Sequence, residues 1–529
     1  MRTFYSVAAL IMLMSSHLYA GSAIWGQETL RAGCICSFSD LDRYARALSL
    51  QKAPESPELP DSISNLSYDD YRMIAFRPER AIWWNQSKPY WFELFHRGFV
   101  HRNKVNVSLI HNQTETKSPS EEAVPFDPTF FEYRGPLAGR NVPADTGFAG
   151  VKIVGQFPNA DDGQEMLTFL GASYFRARTA NTVYGSSTRG LALDAGTDKS
   201  EEFPAFTDLW IVEPEPEQKT LTVLALMNSE SVVGAYEFEL QPGTTNTKVD
   251  VRARLYFRNT DCKIGMAPLT SMWMWGDAIE PPPLDKRPSV HDADGLMIDA
   301  GDAGTIWRSL CRQSYPSLSK FEVAELHGFG LIQRERRYSR YLDDEAQYHR
   351  RPDVWVKPKS PWLNGTVELL ELPAPHEGHD NIAAFWVPGD QIKVGEPVDL
   401  EYEVQFRSVK PRSSEFLARV VRHSLSRNED GTIDVQLHFR GSAIKELSEQ
   451  TPVSLDLLTV RGEVVEQQSC KTKTGWRVDL KIDPIEVTAP VEIQVTLKDS
   501  NRRLSETWSG LCSHQVPKYQ FPQVYTRID

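Results

Sequence analysis

Apolar residues return at every second position in run after run of this chain: Val249, Val251, Ala253, Leu255 and Phe257; Val398, Leu400, Tyr402, Val404 and Phe406; Ile433, Val435, Leu437 and Phe439; Val491, Ile493, Val495 and Leu497. A period of two puts alternate side chains on opposite faces of an extended strand, so each run is a half-buried strand. Turn clusters such as Gln241-Pro242-Gly243 and Glu429-Asp430-Gly431 separate the runs, and helical spacing is convincing only from Leu41 to Leu50. The expected fold class is all-β, built from stacked antiparallel sheets, because parallel sheets would need crossover helices that the pattern lacks.

A boundary is expected where the aromatic stretch ending in Trp386-Val387-Pro388-Gly389-Asp390 gives way to Lys393-Val394-Gly395-Glu396-Pro397. Residues 398–517 have the size and strand spacing of an immunoglobulin-like sandwich. Residues 24–390 make up the other, larger unit. The Trp, Tyr, His and paired acids concentrate between 60 and 388, so the chemistry belongs there.

Lys plus Arg number 58 and Asp plus Glu 71, which leaves 58 − 71 = −13. Nucleic acid is a poor partner for such a chain, since neutralising phosphates takes clustered cations. Residues 1–23 carry Arg2, an apolar stretch from Val7 to Met14 and small residues at Ala20 to Ala23, the layout of a secretory signal peptide. The apolar run is too short to span a bilayer. No stable membrane anchor is expected, because a lipidated Cys would directly follow the cleavage site and the first cysteine is Cys34. Six cysteines are too sparse for a disulfide scaffold. Cys470 with Cys512 is the expected bridge, and Cys34 with Cys36 suits a structural or redox role better than a metal.

Two acidic clusters stand beside apolar strands. The first is Ser289-Val290-His291-Asp292-Ala293-Asp294-Gly295-Leu296, preceded by Trp273-Met274-Trp275-Gly276-Asp277; the second is His376-Glu377-Gly378-His379-Asp380-Asn381, followed by Ile382 to Val387. Like charges on one face of a strand are costly unless they face water, a cation or a cleft. Among the same residues, His291, His376 and His379 with the neighbouring acids are also chemically able to bind a metal. No helical H-E-x-x-H, nucleophile elbow, P-loop or dinucleotide fingerprint accompanies them, so neither metal nor other cofactor is expected. Paired carboxylates among abundant aromatics (18 Tyr, 13 Trp and 24 Phe) suit glycosidic chemistry, one acid protonating the leaving oxygen and one base activating water. A third stretch, Arg334 to Pro352, mixes Tyr338, Tyr341 and Tyr348 with charges. It fits either a solvated surface or a saccharide subsite.

Several ordered segments carry a resemblance: Leu66-Ser67-Tyr68-Asp69-Asp70-Tyr71-Arg72, Phe95-His96-Arg97-Gly98-Phe99, Phe169-Leu170-Gly171-Ala172-Ser173-Tyr174-Phe175-Arg176, Glu201-Glu202-Phe203-Pro204, Pro268-Leu269-Thr270-Ser271-Met272, Val290-His291-Asp292, Gly328-Phe329-Gly330-Leu331 and Asp380-Asn381-Ile382. Together they resemble the periplasmic glucan biosynthesis family, proteins G and D. The resemblance implies a large N-terminal β-sandwich with a long cleft, a short linker and a C-terminal immunoglobulin-like domain. It also implies a periplasmic location and action on osmoregulated glucans with a β-1,2-linked backbone, by inverting hydrolysis or, in some relatives, transglycosylation.

Carried over by position, Asp380 matches the general acid and Asp292 the general base, which takes the proton of water through a substrate hydroxyl. Glu377, Asp343 and Tyr348 match surrounding cleft positions, and Tyr174, Trp273 and His291 join them as candidate substrate contacts. Burial against Ile382 to Trp386 and repulsion from Glu377 are expected to raise the pKa of Asp380. His376-Glu377-Gly378-His379 departs from the family's Thr- and Asn-containing approach to the acid, and Ala324-Glu325-Leu326-His327 departs from its Asn-Pro-containing approach to Gly328. A non-catalytic glucan-binding or assembly protein would keep the same cleft. A homodimer and a contact with a glucan synthase stay open.

Overall fold

The computed structural model describes residues 33–112, 118–160, 162–277, 279–408, 417–448, 451–486, 488–500 and 502–513. The proposed signal at 1–23 lies outside the described residues. The chain is almost entirely β, as the alternation requires.

Two sheets face each other across the main core. One has ten strands and runs from Tyr90–His96 through Phe148–Gln156, Ile264–Ser271 and Ile382–Val387 to Trp362–Glu371 and Ser317–Leu326. The other has fifteen and includes Asn246–Phe257, Val232–Gln241 and Leu221–Asn228. Almost all neighbouring pairs are antiparallel. Phe92, Ile153, Val223, Phe238, Val251, Leu269, Val367 and Tyr402 share the space between them.

Leu221–Asn228 is nearly continuous in its burial rather than alternating. The reason is the helix Phe38–Ser49, which covers the outer face of this sheet. Ser37 caps it by accepting from the Asp40 N–H, satisfying one of the free donors of its first turn. Phe38, Leu41, Ala45 and Leu48 form its buried stripe and pack on Leu224, Leu226, Val233 and Ala235. A strand covered on both faces has no position that must be polar.

Strand Pro397–Arg407 lies inside the larger sheet, between Asn246–Phe257 and Asp353–Pro358. Sequence alone puts its alternation at the start of the C-terminal domain. Period two identifies a strand but not its partner, and pairing assigns this one to the large layer. The second core draws instead on residues from Ala418 to Cys512, where the four-stranded sheet of Arg419–Arg427, Ile433–Arg440, Gly475–Pro484 and Gly462–Thr472 packs against Val453–Val460, Val491–Asp499 and Thr507–Cys512.

The two sandwiches are joined by more than a linker. Thr305–Ser309 pairs in parallel with Thr507–Cys512, with Trp307 opposite Trp508, so the fifteen-stranded sheet runs through both. The Trp508 indole donates to Ser309 Oγ at 3.1 Å. A Cβ at Gly295 would fall 2.3 Å from the Trp307 ring, so glycine there lets the indole cross the neighbouring strand and reach the second core.

Cys34 and Cys36 are disulfide-bonded, whereas Cys470 and Cys512 are free thiols. This corrects the expected bridge: Cys470 is exposed on the four-stranded sheet and Cys512 is buried on a strand of the opposing one. Among the described residues no helix is long and apolar enough to cross a membrane.

Candidate active site

Three segments meet where the two acidic clusters converge. Trp273–Trp275 pairs with the short strand Val290–His291, placing Trp273 opposite His291, and Ile382–Val387 lies beside Ile264–Ser271. The Asp292 N–H donates to the Met272 carbonyl at 2.9 Å. One residue on, the Asn381 side chain accepts from the Trp273 N–H at 2.8 Å and donates to the Trp273 carbonyl at 2.9 Å and the Leu372 carbonyl at 3.2 Å. The main chains that carry Asp292 and Asp380 are thereby fixed to one short stretch, Met272 and Trp273.

The two carboxylates occupy different surroundings. Asp292 is only 8% exposed and pairs with Arg351 Nε at 3.4 Å. Burial raises its pKa, and the charge of Asp380 adds to the rise, while Arg351, Arg176 and His291 oppose it. The Asp380 side chain keeps 39% of its surface open and has Arg176 Nη2 at 3.6 Å. The desolvation expected at Asp380 therefore falls on Asp292. The apolar strand after Asp380 points its side chains into the core and leaves the carboxylate at the open end.

Around this pair the sequence candidates form one network. Arg287 is its hub: it bonds Asp285 through both carboxylate oxygens, and its Nη1 reaches Asp343 and Glu377, each at 2.8 Å. The Tyr348 hydroxyl donates to the same Glu377 oxygen at 3.0 Å, and Arg351 lies over the Tyr348 ring at 5.2 Å. Glu377 thus has a cation and a hydroxyl as partners. Asp343 also accepts the Glu345 and Ala346 N–H groups, which holds the loop that presents Tyr348.

Tyr174 is half-buried beneath Arg189, whose guanidinium sits 5.3 Å from its ring centre. Burial raises its pKa. With Arg176, Tyr184, Lys152, Glu165 and His101 it lines a cavity of about 350 Å³, which adjoins Asp380 through Arg176. Trp273 and His291 are placed differently. They are 2% and 3% exposed, their rings lie parallel with centroids 6.1 Å apart, and both border a second cavity at the seam of the sandwiches. They support the Asp292 segment from behind.

Arg176, Arg287, Arg351 and Asn381 complete the site, and spacing alone did not single them out. Arg176 and Asn381 stand inside the motifs that carry the resemblance, but Arg287 and Arg351 sit in mixed-charge loops with no local signature. His376 and His379 contact each other with ring centres 4.2 Å apart. Among the described residues no group of three or more His, Cys, Asp or Glu side chains is placed to hold a metal ion.

Comparison with known proteins places this geometry in a family context. The family model described as periplasmic glucan biosynthesis protein, MdoG, matches residues 36–511. The glucans biosynthesis protein G of Pseudomonas aeruginosa is 36% identical over 498 residues, covering 91% of this chain and 93% of the relative. That of Pseudomonas paraeruginosa is similar to the same extent.

Proposed function

Because the chain belongs to the periplasmic glucan biosynthesis protein family, with a role in glucan biosynthesis, we propose that it is a periplasmic enzyme that cleaves β-1,2-glucan by inverting hydrolysis. Asp380 is the general acid and protonates the leaving glycosidic oxygen. Asp292 is the general base and takes the proton of the attacking water through a substrate hydroxyl. The observation that carries this reading is the pairing of one buried and one open carboxylate on segments anchored to the adjacent residues Met272 and Trp273.

Asp380 is open, so it can meet a polymer. Asp292 is buried, and a carboxylate with a raised pKa is a stronger base once ionised. Arg351 steadies that ionised form. Arg287 holds Asp343 and Glu377 as acceptors for sugar hydroxyls, with Tyr348 beside them, and the cavity at Tyr174 and Arg176 extends the binding surface past Asp380.

Purified protein incubated with linear β-1,2-glucan separates this reading from its rivals. New reducing ends on shorter chains support hydrolysis. Altered chain lengths or rings without new reducing ends indicate transglycosylation by the same carboxylates. Binding with no product indicates a glucan-binding or assembly protein and overturns the catalytic roles.

A further inference from the structure

A cavity of about 560 Å³ lies at the seam of the two sandwiches, walled by Trp273 and His291 on one side and by Arg419, His423 and Arg440 on the other. Five arginines border it, Arg334, Arg336, Arg337, Arg419 and Arg440, against three acids, Asp277, Asp294 and Glu335.

The acids are already engaged. Glu335 pairs with Arg337 at 2.5 Å, Asp277 pairs with Arg340, and Asp294 accepts the Glu335 N–H at 2.8 Å and faces His291 Nε2 at 3.4 Å. Two of the arginines are neutralised from outside the cavity, Arg334 by both oxygens of Glu506 and Arg336 by Asp353. Arg419 and Arg440 have no acidic partner in a hydrogen bond or ion pair among the described residues.

These two are register partners on adjacent antiparallel strands. Directly opposed residues project to the same face, and like charges there destabilise a sheet. Burial and the nearby Arg334 both push the Arg419 guanidinium below its ordinary pKa, with only partial relief from Glu506. One further polar atom of a lining residue, His423 Nε2, is buried without a hydrogen-bond partner. Opposed cations beside an unused ring nitrogen around one space are the complement of an oxyanion, since guanidinium forks match such groups in geometry as well as charge.

We infer that the seam cavity binds an oxyanion of the phosphate class, held between Arg419 and Arg440. The anion satisfies two cations that the fold leaves opposed and ties the four-stranded sheet to the segment behind Asp292. The site is separate from the carboxylate pair and does not depend on the reaction proposed for it.

The test uses the full chain at constant ionic strength set with chloride, with binding followed by calorimetry and melting temperature. The probes are inorganic phosphate and glucose 6-phosphate. Wild type is expected to bind and to melt higher with ligand, Arg419→Gln and Arg440→Gln to bind roughly tenfold more weakly or worse, and Arg422→Gln, exposed on the same strand and outside the cavity, to bind as wild type. Without ligand, Arg419→Gln should melt no lower than wild type, because it relieves repulsion. Tighter binding of the sugar phosphate identifies an anion carried by a saccharide, and equal binding identifies the free ion. The proposal is overturned if neither probe binds wild type, or if Arg419→Gln and Arg440→Gln each bind as tightly as wild type.

Discussion

The Asn381 side chain pairs with both main-chain groups of Trp273, accepting from the N–H at 2.8 Å and donating to the carbonyl at 2.9 Å. One amide thus does what a neighbouring strand would do. Since Asp292 is bonded to the residue before Trp273, and Asp380 precedes Asn381, this pairing sets where both carboxylates stand. Asn381→Ala leaves a buried N–H and carbonyl without partners, at a cost of about 1 to 3 kcal/mol. The expected result in urea denaturation is a loss of that size, with turnover per folded molecule reduced because the two acids are no longer held in register. Unchanged stability and turnover would show that the pairing is incidental.

As the proposed base, Asp292 is expected to make the rate sensitive to acid. A base must be ionised, and burial raises the pKa of this one above the ordinary Asp value of about 3.9. The acidic limb of the kcat/KM profile on β-1,2-glucan is therefore expected above that value. A limb at or below it contradicts the assignment of Asp292 as base.

The same shift has a signature in stability. With a raised folded pKa the native state binds more protons than the unfolded chain, so the contribution of this group declines as pH rises from the unfolded value through the folded one. Asp292→Asn removes that penalty. It is expected to melt above wild type at pH 7 and to lose the advantage at pH below about 4, where both proteins carry a neutral group. Equal melting at both pH values contradicts the shift.

Arg287 holds three carboxylates together, those of Asp285, Asp343 and Glu377. Burial pushes Asp285 up, but hydrogen bonds from Arg287 outweigh it and leave the carboxyl below its ordinary pKa. Arg287→Met converts attraction into mutual repulsion. The deficit in unfolding free energy relative to wild type is expected to be largest at pH 7 and to shrink as pH falls through about 4, where the acids take up protons. A deficit independent of pH would assign Arg287 a packing role over Trp275 instead, whose ring lies 5.5 Å from the guanidinium.

The pair of Arg308 and Glu371 tests the floor under the site. Both side chains are fully buried, 2.7 Å apart, and Glu371 also accepts the Cys311 N–H at 3.0 Å. Glu371→Gln leaves a buried guanidinium without its counter-charge and is expected to cost about 3 to 5 kcal/mol. Chemical denaturation reads this directly, and a loss under about 1 kcal/mol would place water at the pair.

Alternation made the strands legible before any coordinates. Val249 to Phe257 and Ile433 to Phe439 read as strands and are strands. Pairing was not legible. Nothing local to Val398 to Phe406 says that its neighbours are Asn246–Phe257 and Asp353–Pro358, and the parallel seam at Trp307 and Trp508 joins positions far apart in the chain. At the site, the acids could be picked out because charge beside an apolar run is unusual. The arginines that govern those acids could not, since Arg287 and Arg351 act across distances in sequence that periodicity does not reach. Burial of the two carboxylates was not legible for the same reason: Asp380 precedes an apolar run yet stays open, while Asp292 is enclosed by segments remote in sequence.

In the proposed reaction Asp380 gives its proton to the leaving oxygen. The most direct measurement is the turnover of linear β-1,2-glucan by Asp380→Asn beside wild type, with binding of the same glucan measured in parallel. Asn keeps the shape and removes the proton, so kcat is predicted to fall by about a hundredfold or more while glucan affinity stays within a few-fold of wild type. Cleavage near the wild-type rate by the folded Asn variant contradicts the account and assigns the proton to another residue.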